Sequence, residues 1–253
     1  MSEWFENEEF WIQFAPIMFD DARWAEAPTV AEYVKNISHA RTVLDAGCGI
    51  GRIAVELAGL GLDVTGVDII QSELDAAAES AEAEGVPLKL IKADLRAFSE
   101  SEKYDCVINL YTSFGYCDTE EEDMRILLNM ANAVKKGGTF IMECTSRETA
   151  ILYFTKGEEF ERAGYKVVTD FDVVGAWEGL RSHWALYPPD VDLLKDSDVN
   201  PLVDHCFVQR LYPAAFLRDK LKEFGLKQVD VYGDFDKSPY DQHARTMVII
   251  GKK

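Results

Sequence analysis

The chain has 253 residues, 47% of them hydrophobic and 11% aromatic, which is enough to bury a large core and excludes intrinsic disorder. Lysine and arginine total 26 against 45 aspartates and glutamates, a formal net charge of −19. A field of that sign repels phosphate backbones, so a large nucleic-acid partner is disfavoured. The first forty residues carry apolar side chains at helical spacing, Trp4, Phe5, Phe10, Trp11 and Phe14, then Val30, Tyr33, Val34 and Ile37, and predict helices. From Arg41 strands and helices alternate. Residues 42–44 form a short strand that runs into a glycine-rich stretch, 53–60 reads as helix, and 63–67 as a buried strand. Residues 72–84 are an Ala/Glu-rich helix stopped by Gly85. Strands follow at 88–91 and 104–110, then a helix at 120–135 closed by Gly137 and Gly138, and a fifth strand at 139–143. This alternation implies right-handed crossovers and an α/β, doubly wound, mostly parallel sheet.

The rhythm then changes. Strand-like runs at 165–174 and 180–187 flank Gly175-Ala176-Trp177-Glu178-Gly179, a hairpin signature, and 203–211 resumes as strand after a polar, aspartate-rich loop over 188–201. The three runs predict a small antiparallel insert at about residues 163–211. A helix at 214–224 and strands at 228–232 and 245–250 complete the chain. No apolar run approaches the roughly 20 residues that cross a bilayer. Residues 1–5 lack the basic and apolar regions of a signal peptide, so a cytoplasmic protein without a membrane partner is expected. The odd cysteine set, Cys48, Cys106, Cys117, Cys144 and Cys206, contains no C-x-x-C pair and predicts free thiols and no metal site.

The chemistry concentrates at the ends of the first strands. Asp45-x-Gly47-x-Gly49-x-Gly51 follows a strand and opens a helix, where glycines permit a tight turn and close approach of a ligand to backbone. Dinucleotide enzymes use a related turn. Here, however, an acid precedes the first glycine by two residues; it would repel a pyrophosphate and attract a cationic amino acid group. Asp68 ends the second strand, where a carboxylate can accept from both ribose hydroxyls. Asp94 follows the third, where it can accept from an adenine amino group while Leu95 packs on the ring.

Taken together, Val43-Leu44-Asp45-Ala46-Gly47-Cys48-Gly49-Ile50-Gly51-Arg52, Val64-Thr65-Gly66-Val67-Asp68 and Ala93-Asp94 resemble the class I S-adenosylmethionine-dependent methyltransferases over roughly residues 40–145. The segment 109–116 and the run 232–240 resemble the small-molecule N-methyltransferases of that family. The resemblance implies a seven-stranded sheet with its last strand antiparallel, S-adenosylmethionine as cofactor and S-adenosylhomocysteine as product. It implies a cofactor site formed by Asp45, Gly47, Cys48, Gly49, Asp68, Ile69, Ala93, Asp94 and Leu95, with Asn109 and Leu110 touching through backbone. It further suggests residues 1–40 as a helical lid on a methyltransferase domain at 41–253, with Trp11 and Phe14 over the cofactor and Arg23 reaching the methionine carboxylate.

A small-molecule acceptor is expected, at nitrogen more than oxygen. Ser113 and Tyr116 are candidates to hold it, and Arg210 to bind an acceptor carboxylate or to pair with a neighbouring acid. Tyr116, His183 and His205 are the candidate catalytic groups, the histidines because imidazole titrates near neutrality. The competing readings are a cofactor-binding regulator without chemistry, a protein or RNA methyltransferase, and, at the level of the fold, a nicotinamide reductase. Oligomeric state is open, a homo-oligomer included.

Overall fold

The alternating half of the chain builds a seven-stranded sheet. A computed structural model describes residues 4–192 and 199–253. Strands β1 (Thr42–Ala46), β2 (Asp63–Asp68), β3 (Lys89–Lys92), β4 (Tyr104–Asn109) and β5 (Val134–Cys144) are joined at the other edge by β10 (Gln228–Tyr232) and β11 (Met247–Lys252). Their order is β10-β11-β5-β4-β1-β2-β3, and β11 runs antiparallel to both neighbours. The parallel registers align Asp45 with Gly66 on one side and Ile108 on the other, so β1, β2 and β4 end at one rim.

The central strands are apolar on both faces, as a sheet covered on both sides requires. Helices α2 (Asp21–Ser38) and α3 (Arg52–Gly59) bury Val30, Val34, Ile53 and Leu57 on one face. Helices α5 (Glu120–Ala133) and α7 (Ala214–Glu223) bury Leu127, Met130, Leu217 and Leu221 on the other. Truncating any of these fully enclosed leucines to alanine costs about 2–5 kcal/mol. Helix α4 (Gln71–Glu84) packs beside β2 and β3 and ends, as the sequence predicts, at Gly85 in the left-handed conformation.

The predicted insert is a four-stranded antiparallel sheet in the order β6-β7-β8-β9: β6 (Gly157–Arg162), β7 (Tyr165–Val174), β8 (Gly179–Tyr187) and β9 (Val203–Arg210). The hairpin stands between β7 and β8, with Gly175 and Trp177 at positive φ. Strand β6 has no sequence signal because its acids and arginine leave only Phe160 and Gly157 half-buried on an edge. The one-and-a-half-turn helix α6 (Arg147–Leu152) is likewise too short for periodicity and is held by a Ser146–Thr149 capping box. Residues 193–198 of the predicted 188–201 loop lie outside the described residues.

The N-terminal segment divides in two. Asp20 caps α2 by accepting from Arg23 N at 3.0 Å, and α2 joins the main sheet. Helix α1 (Glu8–Met18) instead packs Phe10, Phe14 and Ile17 onto Val167 and Leu186 of the insert. The short 3-10 turn Trp4–Glu6 precedes it. No described helix is long and apolar enough to cross a membrane. Cys48, Cys106, Cys117 and Cys144 are buried free thiols, and Cys206 is exposed.

Candidate active site

A cleft of about 860 Å³ opens above the rim where β1, β2 and β4 end, roofed by α1 and the insert. The glycine turn forms its floor. Gly47 has φ +78°, and a Cβ there would lie 3.0 Å from Ser113 Cβ, so backbone faces the cleft where a side chain would fill it. Gly51, at φ +77°, lets α3 approach α4; a Cβ would meet Ala77 Cβ at 2.7 Å. Gly47 N and Cys48 N both donate to Val67 O, at 2.8 and 3.1 Å, which fixes the turn across β2.

The acids stand where the sequence places them. Asp45 is 3% exposed; burial, with Asp68 close by, pushes its carboxyl up to about 7, against the pull of Arg52. Asp68 accepts from Gly49 N at 2.8 Å and Ile70 N at 3.0 Å, while burial raises its carboxyl. Asp94 accepts from Arg96 N at 2.7 Å and Arg96 Nε at 2.8 Å, and Arg96 also reaches Glu6 at 3.0 Å. Cys48, Gly49, Ile69, Ala93 and Leu95 line the same wall, as do Leu110 and, from the N-terminal segment, Trp11 and Arg23. Asn109 does not: it is fully buried behind the turn, its Nδ2 donating to Ala46 O at 2.6 Å as a brace between β4 and β1.

The acceptor-side expectations divide more sharply. Ser113 and Tyr116 line the cleft. Ser113 Oγ donates to Leu110 O at 3.0 Å and so secures its own turn. Burial pushes the Tyr116 phenol well up, so it holds its proton through the neutral range. Arg210 is not among the cleft-lining residues: it pairs with fully buried Asp123 and donates to Cys117 O and Asp118 O, at 3.1 and 3.0 Å. Of the two readings of Arg210, pairing with a neighbouring acid is the one observed.

His183 and His205 are absent from the cleft lining. Strand alternation explains the first: Ser182 and Trp184 face inward, so His183 faces out and pairs with Asp204 at 2.6 Å and Asp170 at 3.6 Å. His205 packs edge-on against Phe10 and Phe14, with ring centroids at 4.9 and 5.7 Å, as part of the seat of α1.

Sequence reasoning reached Tyr111 and Thr112 only as part of the segment 109–116 and missed Glu143, Glu73 and most of the aromatic end of the cleft. Tyr111 and Thr112 are consecutive non-glycine residues at φ 56° and 63°, a costly arrangement held from β5. Glu143 Oε2 accepts from Tyr111 N at 2.8 Å, and its other oxygen accepts from Thr246 Oγ1. Burial raises the Glu143 carboxyl, while those two donors draw it back down. An acid at a strand end was the available signal, as at Asp45 and Asp68. Arg52 lies 3.8 Å from the Tyr111 ring centroid, and Arg23 5.6 Å. Glu73, in the first turn of α4, is 6% exposed and lines the wall beside Asp68. Trp4, stacked on Phe207 at 4.3 Å, completes an aromatic end with Tyr116, Phe171 and Trp184.

Residues 43–138 match the family model described as a methyltransferase domain. Over 224 residues the chain is 31% identical to a Geobacillus sp. (strain WCH70) protein named as a methyltransferase, covering 84% of this chain and 85% of that one. The chain belongs to the class I S-adenosylmethionine-dependent methyltransferases. The methyltransferase shares its fold with an S-adenosylmethionine-dependent methyltransferase from Clostridium acetobutylicum at a TM-score of 0.77 and 15% identity, covering 96% of this chain and 97% of that one. It is also similar in fold to the sugar N-methyltransferase KedS8 from Streptoalloteichus sp, at a TM-score of 0.66 and 19% identity, covering 100% and 95%. The residues at the rim fit S-adenosylmethionine. A glycine cradle and the acids Asp45, Asp68 and Asp94 stand around one cleft, offering acceptors to a ligand that carries an ammonium, hydroxyls and an amino group.

Proposed function

We propose that this methyltransferase transfers a methyl group to a nitrogen of a small-molecule acceptor held at the aromatic end of the cleft. S-adenosylmethionine supplies an electrophilic methyl on a sulfonium. Asp45 takes the ammonium of its amino acid end, Arg23 the carboxylate, Asp68 the ribose hydroxyls, and Asp94 and Leu95 the adenine. The backbone at Gly47 and Leu110 keeps side chains out of the methyl's path.

The observation that carries the choice of nitrogen is the state of the groups beside Tyr111–Tyr116. A neutral amine needs only positioning and desolvation, because its lone pair attacks without prior loss of a proton. A hydroxyl needs a base, and the candidates are engaged. Glu143 already accepts at both oxygens, Asp20 caps α2 and pairs with Arg162 at 3.2 Å, and the Tyr116 phenol stays protonated. Trp4, Tyr116, Trp184 and Phe207 supply apolar, electron-rich faces that exclude water and suit a nitrogen gaining positive charge during transfer. The fold shared with the sugar N-methyltransferase is consistent with this reading. The N-terminal turn and α1 act as the lid over this end. The test is a competition panel of primary and secondary amines, alcohols and phenols with S-adenosylmethionine, products identified by mass spectrometry. Methylated amines support the proposal; methylated hydroxyls alone would contradict it.

A further inference from the structure

Among the cleft acids, Asp45, Asp68 and Asp94 have tasks in the family reading and Asp20, Asp123 and Glu143 hold groups of the protein itself, whereas Glu73 has neither. It is 6% exposed, and its Oε1 is buried with no hydrogen-bond partner among the described residues. An unmade hydrogen bond at a buried carboxyl oxygen carries a full desolvation penalty, which a methionine or leucine at the same place would avoid. The side chain is also aimed. A Cβ built on Gly49 would lie 2.8 Å from Glu73 Oε2, and Gly49 N itself donates to Asp68 Oδ2 at 2.8 Å. Glu73, Gly49 and Asp68 therefore converge on one corner of the cleft.

We propose that Glu73 is a second cofactor-binding group that completes the ribose site beside Asp68 by donating a hydrogen bond. The inference rests on the assignment of this corner to the ribose of S-adenosylmethionine. Charge explains why a donor is needed there. Asp68, at the end of β2, is the charged neighbour acting on Glu73, and Cys48 of the glycine turn lies against both. Asp45, from β1, is acted on by Asp68 and, with opposite sign, by Arg52 of α3. The cleft residues of α1, which packs on α4, are Trp11, Ile17 and Met18, none charged.

Two neighbouring ionised carboxylates out of water repel, and Asp68 is already committed as an acceptor to Gly49 N and Ile70 N. Glu73 is the one that keeps its proton, its carboxyl pushed up to about 8 by burial and by Asp68. A ribose hydroxyl can then donate to Asp68 while its oxygen accepts from Glu73, one oxygen serving both acids with opposite roles.

The experiment is calorimetric titration of S-adenosylhomocysteine into the full chain at pH 7 and pH 9, for wild type, Glu73→Gln and Glu73→Leu. The glutamine retains a donor that does not titrate. Dividing wild-type affinity by that of Glu73→Gln cancels the ligand's own ionisation and that of Asp45. The quotient is expected to fall about tenfold from pH 7 to pH 9, since only the protonated fraction of a group titrating near 8 can donate. Glu73→Leu is expected to bind about tenfold more weakly than wild type at pH 7. A quotient equal at both pH values, with wild-type binding intact, overturns the proposal alone. If wild type itself binds at neither pH, the cofactor reading falls and the proposal with it.

Discussion

Replacing Asp68 by asparagine tests the ribose corner with almost no change of shape. In the wild type, one carboxylate oxygen accepts from Gly49 N at 2.8 Å and the other from Ile70 N at 3.0 Å. Asparagine keeps one of these acceptors and turns an amide donor on the other N–H or on the ribose. The glycine turn and the ligand then compete for a single oxygen. Hydrogen bonds to a charged group contribute about 1.5–3 kcal/mol each, so losing one predicts a roughly 10- to 150-fold rise in the dissociation constant of S-adenosylhomocysteine. The assay is calorimetric titration near pH 7.5, with thermal unfolding to establish that the variant is folded. Folding itself is expected to suffer little, because burial already disfavours the Asp68 charge in the free protein. An unchanged dissociation constant in a folded variant would remove Asp68 from the cofactor site.

Three further outcomes follow from the same geometry. Asp45 has its carboxyl raised from an ordinary 3.8 to about 7, so between those values the folded state binds a proton that the unfolded state has lost. Stability therefore falls as pH rises through that window, by up to about 4 kcal/mol from this group. Asp45→Asn is expected to flatten that dependence in thermal melts and raise the cofactor-free melting temperature at pH 8, while abolishing S-adenosylmethionine binding; a variant that melts lower and still binds would contradict the assignment. Arg210→Met leaves fully buried Asp123 without its ion pair and is expected to cost about 3–5 kcal/mol in denaturant unfolding, with cofactor affinity changed less than twofold or so. His183→Ala removes a side chain paired with Asp204 on the outward face of β8, so turnover on any accepted substrate should stay within about twofold in steady-state kinetics; a large loss would restore the histidine as a base.

The parts legible in the sequence are those where one local pattern implies one local structure. Parallel strands read as short apolar runs, and Asp45 and Asp68 stand at the C-terminal ends of two of them, with Asp94 two residues beyond a third, so the cleft wall that carries them follows from strand ends alone. Strand β6 and helix α6 escaped because their pattern is weak: one is a charged edge, the other shorter than two turns. The acceptor side escaped for a different reason. Whether His183 or Trp184 faces the cleft depends on the register of β8 against β7 and β9, and a shift of one residue would exchange them. Arg210 and Asp123 are far apart in sequence and meet only after the insert docks on the segment following β4. Glu73 reads as an ordinary surface acid in an Ala/Glu-rich helix, and only the packing of α4 against the glycine turn makes it a buried one.

Nitrogen methylation is tested most directly by incubating the protein with methyl-deuterated S-adenosylmethionine and the mixed acceptor panel, with products and S-adenosylhomocysteine quantified by mass spectrometry. Label is expected on the nitrogen of one or more amines, with S-adenosylhomocysteine formed in equal amount. Label found only on hydroxyl oxygens, or cofactor bound with no acceptor labelled, would contradict nitrogen methylation.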